Sequence, residues 1–205
     1  MKKHLWMPAA VLVSLMALVA VPQAEVIEDF EDGNWSEYTV VGDVQAAVTA
    51  AAAHDGNYGL EFIGHAGGEG WIYRDDAQVH VEQGNVIGFW SRTMEVVDNY
   101  TRNYHGFGAT AAGCYSAVIA PNTGTFLLQY NSGYSYSTLA DVPQVWQMGH
   151  WYYVEIDWQV GGTITAYVYD SDGTTLLNTV SAVHNAFTGG GIAILGWLGK
   201  LDSGL

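Results

Sequence analysis

From residue 25 onward the chain alternates short runs rich in Val, Ile, Tyr, Trp and Thr with breaks of Gly, Asn and Asp. No stretch holds apolar residues at the three-to-four spacing of an amphipathic helix, so the pattern is one of strands and turns. It predicts strands over 26–30, 38–41, 45–50, 58–63, 71–74, 86–93, 104–109, 115–119, 125–130, 134–139, 151–158, 163–170, 176–181 and 191–197. That many strands at this spacing imply an all-β fold in which two antiparallel sheets pack face to face. Residues 46–54 are ambiguous: the Ala run suits a helix, whereas Val44, Val48, Thr49 and the flanking turns favour a strand.

The best-defined unit joins the runs 151–158 and 163–170 through Gly161-Gly162, an alternating hairpin around a tight turn. Side chains alternate across a strand, so Tyr152, Val154, Ile156 and Trp158 share a core face with Ile164, Ala166 and Val168. The outer face then carries Tyr153, Glu155 and Asp157 with Thr163, Thr165, Tyr167 and Tyr169. The same parity puts Trp90 and Arg92 opposite Ile87 and Phe89, and Tyr104 opposite Phe107.

Composition narrows the function classes. The 205 residues carry a formal charge of −15, with 6 Lys plus Arg against 21 Asp plus Glu. Such a surface repels phosphate backbones and anionic lipid headgroups, which excludes nucleic acid as a partner. Charged residues are 13% of the chain, while Gly, Tyr and Trp number 25, 13 and 8, a balance foreign to coiled coils and acidic disordered tails. Met1-Lys2-Lys3, the apolar run 5–21 and Pro22-Gln23-Ala24 read as a secretory signal peptide over 1–24. The run is short of the roughly 20 apolar residues a spanning helix needs, and Pro8 and Ser14 interrupt it. The expected product is a secreted, periplasmic or cell-surface domain over 25–205 without stable membrane insertion. Cys114 is the lone cysteine, so no internal disulfide can form; it reads as a small buried hydrophobe.

Five stretches in order carry a resemblance: Asp29-Phe30-Glu31-Asp32-Gly33, Asp55-Gly56-Asn57-Tyr58-Gly59-Leu60, Gly88-Phe89-Trp90-Ser91-Arg92, the hairpin run 151–180, and Gly189-Gly190-Gly191-Ile192. Together the chain resembles the concanavalin A-like β-sandwich domains of secreted prokaryotic proteins, the group that includes laminin G-like and carbohydrate-binding modules. The resemblance implies a jelly roll. It does not by itself fix a function, because this fold hosts lectins, binding modules, hydrolases and lyases. Such domains usually close with a strand bearing paired aspartates beside the first strand. Here the chain stops at Leu201-Asp202-Ser203-Gly204-Leu205, so the last strand reads as missing: either the sequence is part of a longer protein with further domains, the favoured reading, or the first strand lies at an unpaired sheet edge.

Glu155 and Asp157 lie two apart on one strand face, the placement glycosidases use for paired carboxylates, and laminarinase-like hydrolases of this fold add a third acid. The corresponding position here is Gln159, which cannot serve as a general acid. The His residues show no metal or base spacing, and Gly-x-Ser-x-Gly is absent. The resemblance implies a structural Ca2+ mapped onto Asp29, Glu31 and the backbone at Asn57, although Glu31 and Asp32 also suit a simple turn. Sugar binding needs exposed aromatic faces flanked by planar polar groups. The candidates are Trp90, Arg92, Tyr104, Tyr153, Glu155 and Tyr167, against the alternative that outer-face aromatics pair for stability alone and that Trp90 is core. The reading is a non-catalytic domain that stacks aromatics on a polysaccharide, with a structural or adhesive surface domain, or a hydrolase, as rivals. Asn34-Trp35-Ser36 and Asn99-Tyr100-Thr101 match the glycosylation pattern, and neither is expected to be modified.

Overall fold

The computed structural model describes residues 25–63, 70–96, 100–197 and 200–203. The strands are β1 (Thr39–Gly42), β2 (Ala46–Thr49), β3 (Gly59–Ile63), β4 (Gly70–Arg74), β5 (Val81–Glu82), β6 (Asn85–Thr93), β7 (Arg102–Thr110), β8 (Gly113–Ala120), β9 (Thr125–Ser132), β10 (Ser137–Pro143), β11 (Trp151–Trp158), β12 (Thr163–Tyr169), β13 (Leu176–Val183), β14 (Gly189–Trp197) and β15 (Lys200–Ser203). They form two antiparallel sheets. The first runs β1-β4-β14-β7-β8-β9-β10 with β5 attached to β14, and the second runs β13-β12-β11-β6-β15-β3-β2. This is a jelly-roll sandwich.

Alternation builds the core as read from the sequence. Tyr152, Val154, Ile156, Trp158, Ile164, Ala166 and Val168 face Phe107, Tyr115, Ala117, Ile119, Phe126 and Leu128 of the first sheet. Trp158 is fully buried, edge-on to Phe107 at 5.2 Å and to Tyr115 at 6.0 Å. Its ring requires Gly108, where φ is +61° and an added Cβ would lie 2.7 Å from the indole. A second cluster at the other end gathers Phe30, Tyr38, Leu60, Phe62, Ile72 and Ile194. The 161–162 turn and the Trp151–Trp158 boundaries follow the sequence reading.

Four departures have local causes. Residues 26–30 form no strand, because Glu28 and Asp29 carboxylates accept from Asp29, Phe30 and Glu31 amides and so occupy donors a ladder would need. Arg74 and Tyr38 also hold Glu28, each at 3.1 Å. Residues 46–54 split the two readings: β2 ends at Thr49, whose hydroxyl caps a 3-10 turn, Ala50–Ala52. The 134–139 strand is displaced to Ser137–Pro143 because Gly133 and Tyr134 both take positive φ in the turn. Finally, the missing last strand is corrected: Lys200–Ser203 forms β15, inserted between β3 and β6. A four-residue strand whose only hydrophobic residue is Leu201 gives little periodic signal, and its two neighbours are distant in sequence. The proposed signal peptide and Asn99 lie outside the described residues. Among the described residues no helix is long and apolar enough to cross a membrane.

Candidate functional site

The register of β6, β11 and β12 assembles an aromatic face on the outside of the second sheet. Trp90 pairs with Tyr153, Tyr153 with Tyr169, and Glu155 lies between Gly88 and Tyr167. The ring centroids step 5.1 Å from Trp90 to Tyr153, 5.9 Å from Tyr153 to Tyr169 and 6.5 Å from Tyr169 to Tyr167. Each of these residues is half-buried, so the rings rest on the sheet with part of their surface open. Gly88 makes the arrangement possible: the Tyr153 hydroxyl occupies the space a side chain would fill, 2.0 Å from an added Cβ.

Trp90 and Arg92 belong to this face as support. The His54 imidazole stacks on Trp90 at 3.8 Å, and the Gly173 turn closes on the indole edge. Arg92 donates to the Ala51 carbonyl at 2.7 Å and lies over the Trp151 ring at 4.5 Å. The open surface therefore belongs to Tyr153, Tyr167 and Tyr169. Tyr169 was legible by alternation yet absent from the candidates, and His54 could not be read, since it reaches Trp90 from a distant loop.

Tyr104 is corrected. It sits in the first sheet, 1% exposed, packed against Trp71 and Tyr136 at 5.4 Å each. Its parity opposite Phe107 was right, but the face it enters is a separate aromatic group with Tyr73 and Tyr134. Beside it Asn131 donates to Ser116 Oγ at 2.9 Å, while the side-chain carbonyls of Gln129 and Asn131 and the Trp71 indole nitrogen have no hydrogen-bond partner among the described residues. Cys114 is fully buried there and its thiol is pushed well up by burial, which removes it from nucleophilic chemistry.

Acidic groups divide into engaged and free. Glu31 does meet Asn57, but as a hydrogen-bonded clamp: its carboxylate accepts from the Asn57 amide at 2.6 Å, the Asn57 side chain at 2.8 Å and the Tyr58 amide at 2.9 Å. These donors hold its pKa down. A calcium ion needs six to eight oxygens, and this turn presents N–H groups to the carboxylate instead. Asp29 caps the Glu31 amide. Asp29, Glu31 and Asn57 are thus engaged with one another and with backbone N–H groups, and among the described residues there is no group of three His, Cys, Asp or Glu placed to hold a metal. Asp157 accepts from the Gln159 side chain at 2.7 Å. Glu155 accepts no hydrogen bond and joins no ion pair among the described residues; its charge instead raises the pKa of Tyr153 and Tyr169, secondary to their burial.

Solved structures share this architecture. Carbohydrate binding module CBM66 from Bacillus subtilis superposes with a TM-score of 0.59 at 12% identity, over 82% of this chain and 92% of that one. The fold they share with this chain is the two-sheet β-sandwich jelly roll. The cellulose induced protein Cip1 follows at 0.53 and 16% identity, covering 86% and 94% of the two chains. The exoplasmic/lumenal domain of VIP36, in a Ca2+/Man-bound form, gives 0.52 at 10% identity over 82% and 81%. No family model matches the sequence, and no curated protein matches it.

Proposed function

We propose that the protein is a secreted, non-catalytic carbohydrate-binding module that stacks a polysaccharide along the outer face of its second sheet. The observation that carries this reading is the line of rings across β6, β11 and β12, ending on the open faces of Tyr153, Tyr169 and Tyr167. Successive strands lie about 4.8 Å apart, so rings on adjacent strands offer successive platforms for successive sugar units. Sugar C–H faces are weakly apolar and stack on such rings, while carboxylates such as Glu155 accept from the hydroxyls. Trp90 and Arg92 support the platform through their contacts with His54 and Trp151. Structural similarity to CBM66 supports the reading through the shared fold. Export of the 25–205 domain, and its place in a longer surface protein, complete it.

The test is depletion of the purified protein by insoluble cellulose, chitin, xylan and mannan, with affinity gels for soluble glycans. Binding to one class, weakened about two- to tenfold by Tyr153→Ala or Tyr167→Ala with the melting temperature retained, is the expected result, since each stacked ring contributes about 0.5–1.5 kcal/mol. A folded protein that binds no glycan would overturn the proposal in favour of a structural surface domain. Release of reducing sugar, abolished by Glu155→Gln, would overturn its non-catalytic part.

A further inference from the structure

Resting on the sugar-binding reading above, the structure also constrains what kind of sugar the face accepts. Several carboxylates are visibly occupied: Glu31 by three donors, Asp76 by Arg74, Asp170 by His150 and Asp172 by Thr175. Glu155 differs. It stands in the middle of the aromatic face, half-buried, with Gly88 directly on one side and Tyr167 on the other, and it has no hydrogen bond or ion pair among the described residues. A carboxylate held in a fixed strand position amid ring faces is the setting that favours an ammonium group, which gains a charge-assisted hydrogen bond and cation–π attraction together.

We infer that the ligand is a polysaccharide bearing free, protonated amino groups, one ammonium of which seats on Glu155 between Tyr153 and Tyr167. The Arg92 guanidinium does not compete for the carboxylate, because it is turned onto the Ala51 carbonyl and the Trp151 ring. Asp157, two residues along on the same face and held by Gln159, adds a second negative charge at the rim. Burial combined with the Glu155 charge disfavours ionisation of Tyr153 and Tyr169, so the rings remain neutral donors and π faces. The formal charge of −15 acts in the same direction, drawing cationic chains in and repelling uronates and sulfated glycans. N-acetylation of the sugar amine would remove the charge and leave only the stacking.

The test is calorimetric titration of the full chain with a fully deacetylated glucosamine hexamer, the N-acetylated hexamer, a cellulose hexamer and a galacturonate oligomer, at pH 6 and 0.15 M salt. The deacetylated hexamer should bind at least tenfold tighter than either neutral hexamer, and the galacturonate should not bind. Glu155→Gln should erase that preference, so that the deacetylated and neutral hexamers bind the variant within about twofold of one another. Glu82→Gln removes the same formal charge from β5, outside this face, and should change nothing. Equal binding of charged and neutral hexamers would overturn the inference and leave the sugar-binding reading standing. Equal losses in Glu155→Gln and Glu82→Gln would also overturn it, assigning the preference to bulk charge. If the folded protein binds none of the four, and no glycan in the depletion assay, the sugar-binding reading fails and takes this inference with it.

Discussion

His105 makes the sandwich acid-sensitive in a way that can be worked out from its surroundings. The imidazole is fully enclosed between the sheets, stacked on Phe89 at 3.9 Å, with Nε2 2.9 Å from Ser91 Oγ and Nδ1 without a partner among the described residues. Asn103 donates to the same Ser91 oxygen at 2.9 Å. Burial without a nearby carboxylate disfavours the charged ring and lowers its pKa to about 3. In the unfolded chain the ring titrates near 6.5. Between these values the unfolded state binds the extra proton, so the stabilisation is complete above about pH 6.5 and is lost as pH falls toward 3. Working at about 1.4 kcal/mol per pH unit once below 6.5, the loss between pH 7 and pH 4.5 is roughly 2–3 kcal/mol. That is a large share of a typical domain stability of about 5–15 kcal/mol. The window is clean, because the carboxylates of Glu31, Asp76, Asp170 and Asp172 have lowered pKa values and lose their contributions only at lower pH. The assay is urea unfolding at half-unit steps from pH 7.5 to 4.5 for the natural protein and His105→Leu. The variant should be less stable at pH 7, by about 1–2 kcal/mol for the lost polar contact, yet its profile should be flatter by the amount above. Parallel profiles for the two proteins would refute the buried-histidine argument.

Other consequences follow from single contacts. Glu31→Ala removes three hydrogen bonds from the 56–58 turn and should lower the melting temperature, whereas EDTA and added calcium should leave the natural protein's melting temperature unchanged; a shift of several degrees with calcium would refute the clamp as the turn's anchor. The depressed Glu31 pKa means its contribution is present above about pH 4.5 and fades as pH falls below that, so the Glu31→Ala deficit should shrink in acid. Gly113→Ala should cost about 2 kcal/mol or more in denaturant unfolding, because φ is +120° and the new Cβ would lie 2.0 Å from the Asn131 carbonyl oxygen; a neutral result would mean that β8 and β9 can separate there without penalty.

Much of this protein was settled by local pattern. A period of two in 151–158 and 163–169, with Gly161-Gly162 between, dictates the hairpin and which side of it is wet, since a one-residue slip would turn every apolar side chain outward. That same alternation placed Trp90, Arg92, Tyr153, Glu155 and Tyr167 on one face before any partner strand was known. What alternation cannot supply is which strands are neighbours, or what covers a face. Tyr104 shows the first limit: its parity was readable, but only the pairing of β7 with β8 and β14 sends it into the first sheet. Trp90 shows the second, because His54 reaches it from a residue 36 positions away and closes one side of the indole. Closure by β15 and the Glu31 clamp are of the same kind: each depends on groups far apart in the chain whose meeting is fixed by packing of the whole sandwich. Sequence periodicity therefore decided the elements and their wet and dry sides, and tertiary packing decided which of the wet side chains remain open to a ligand.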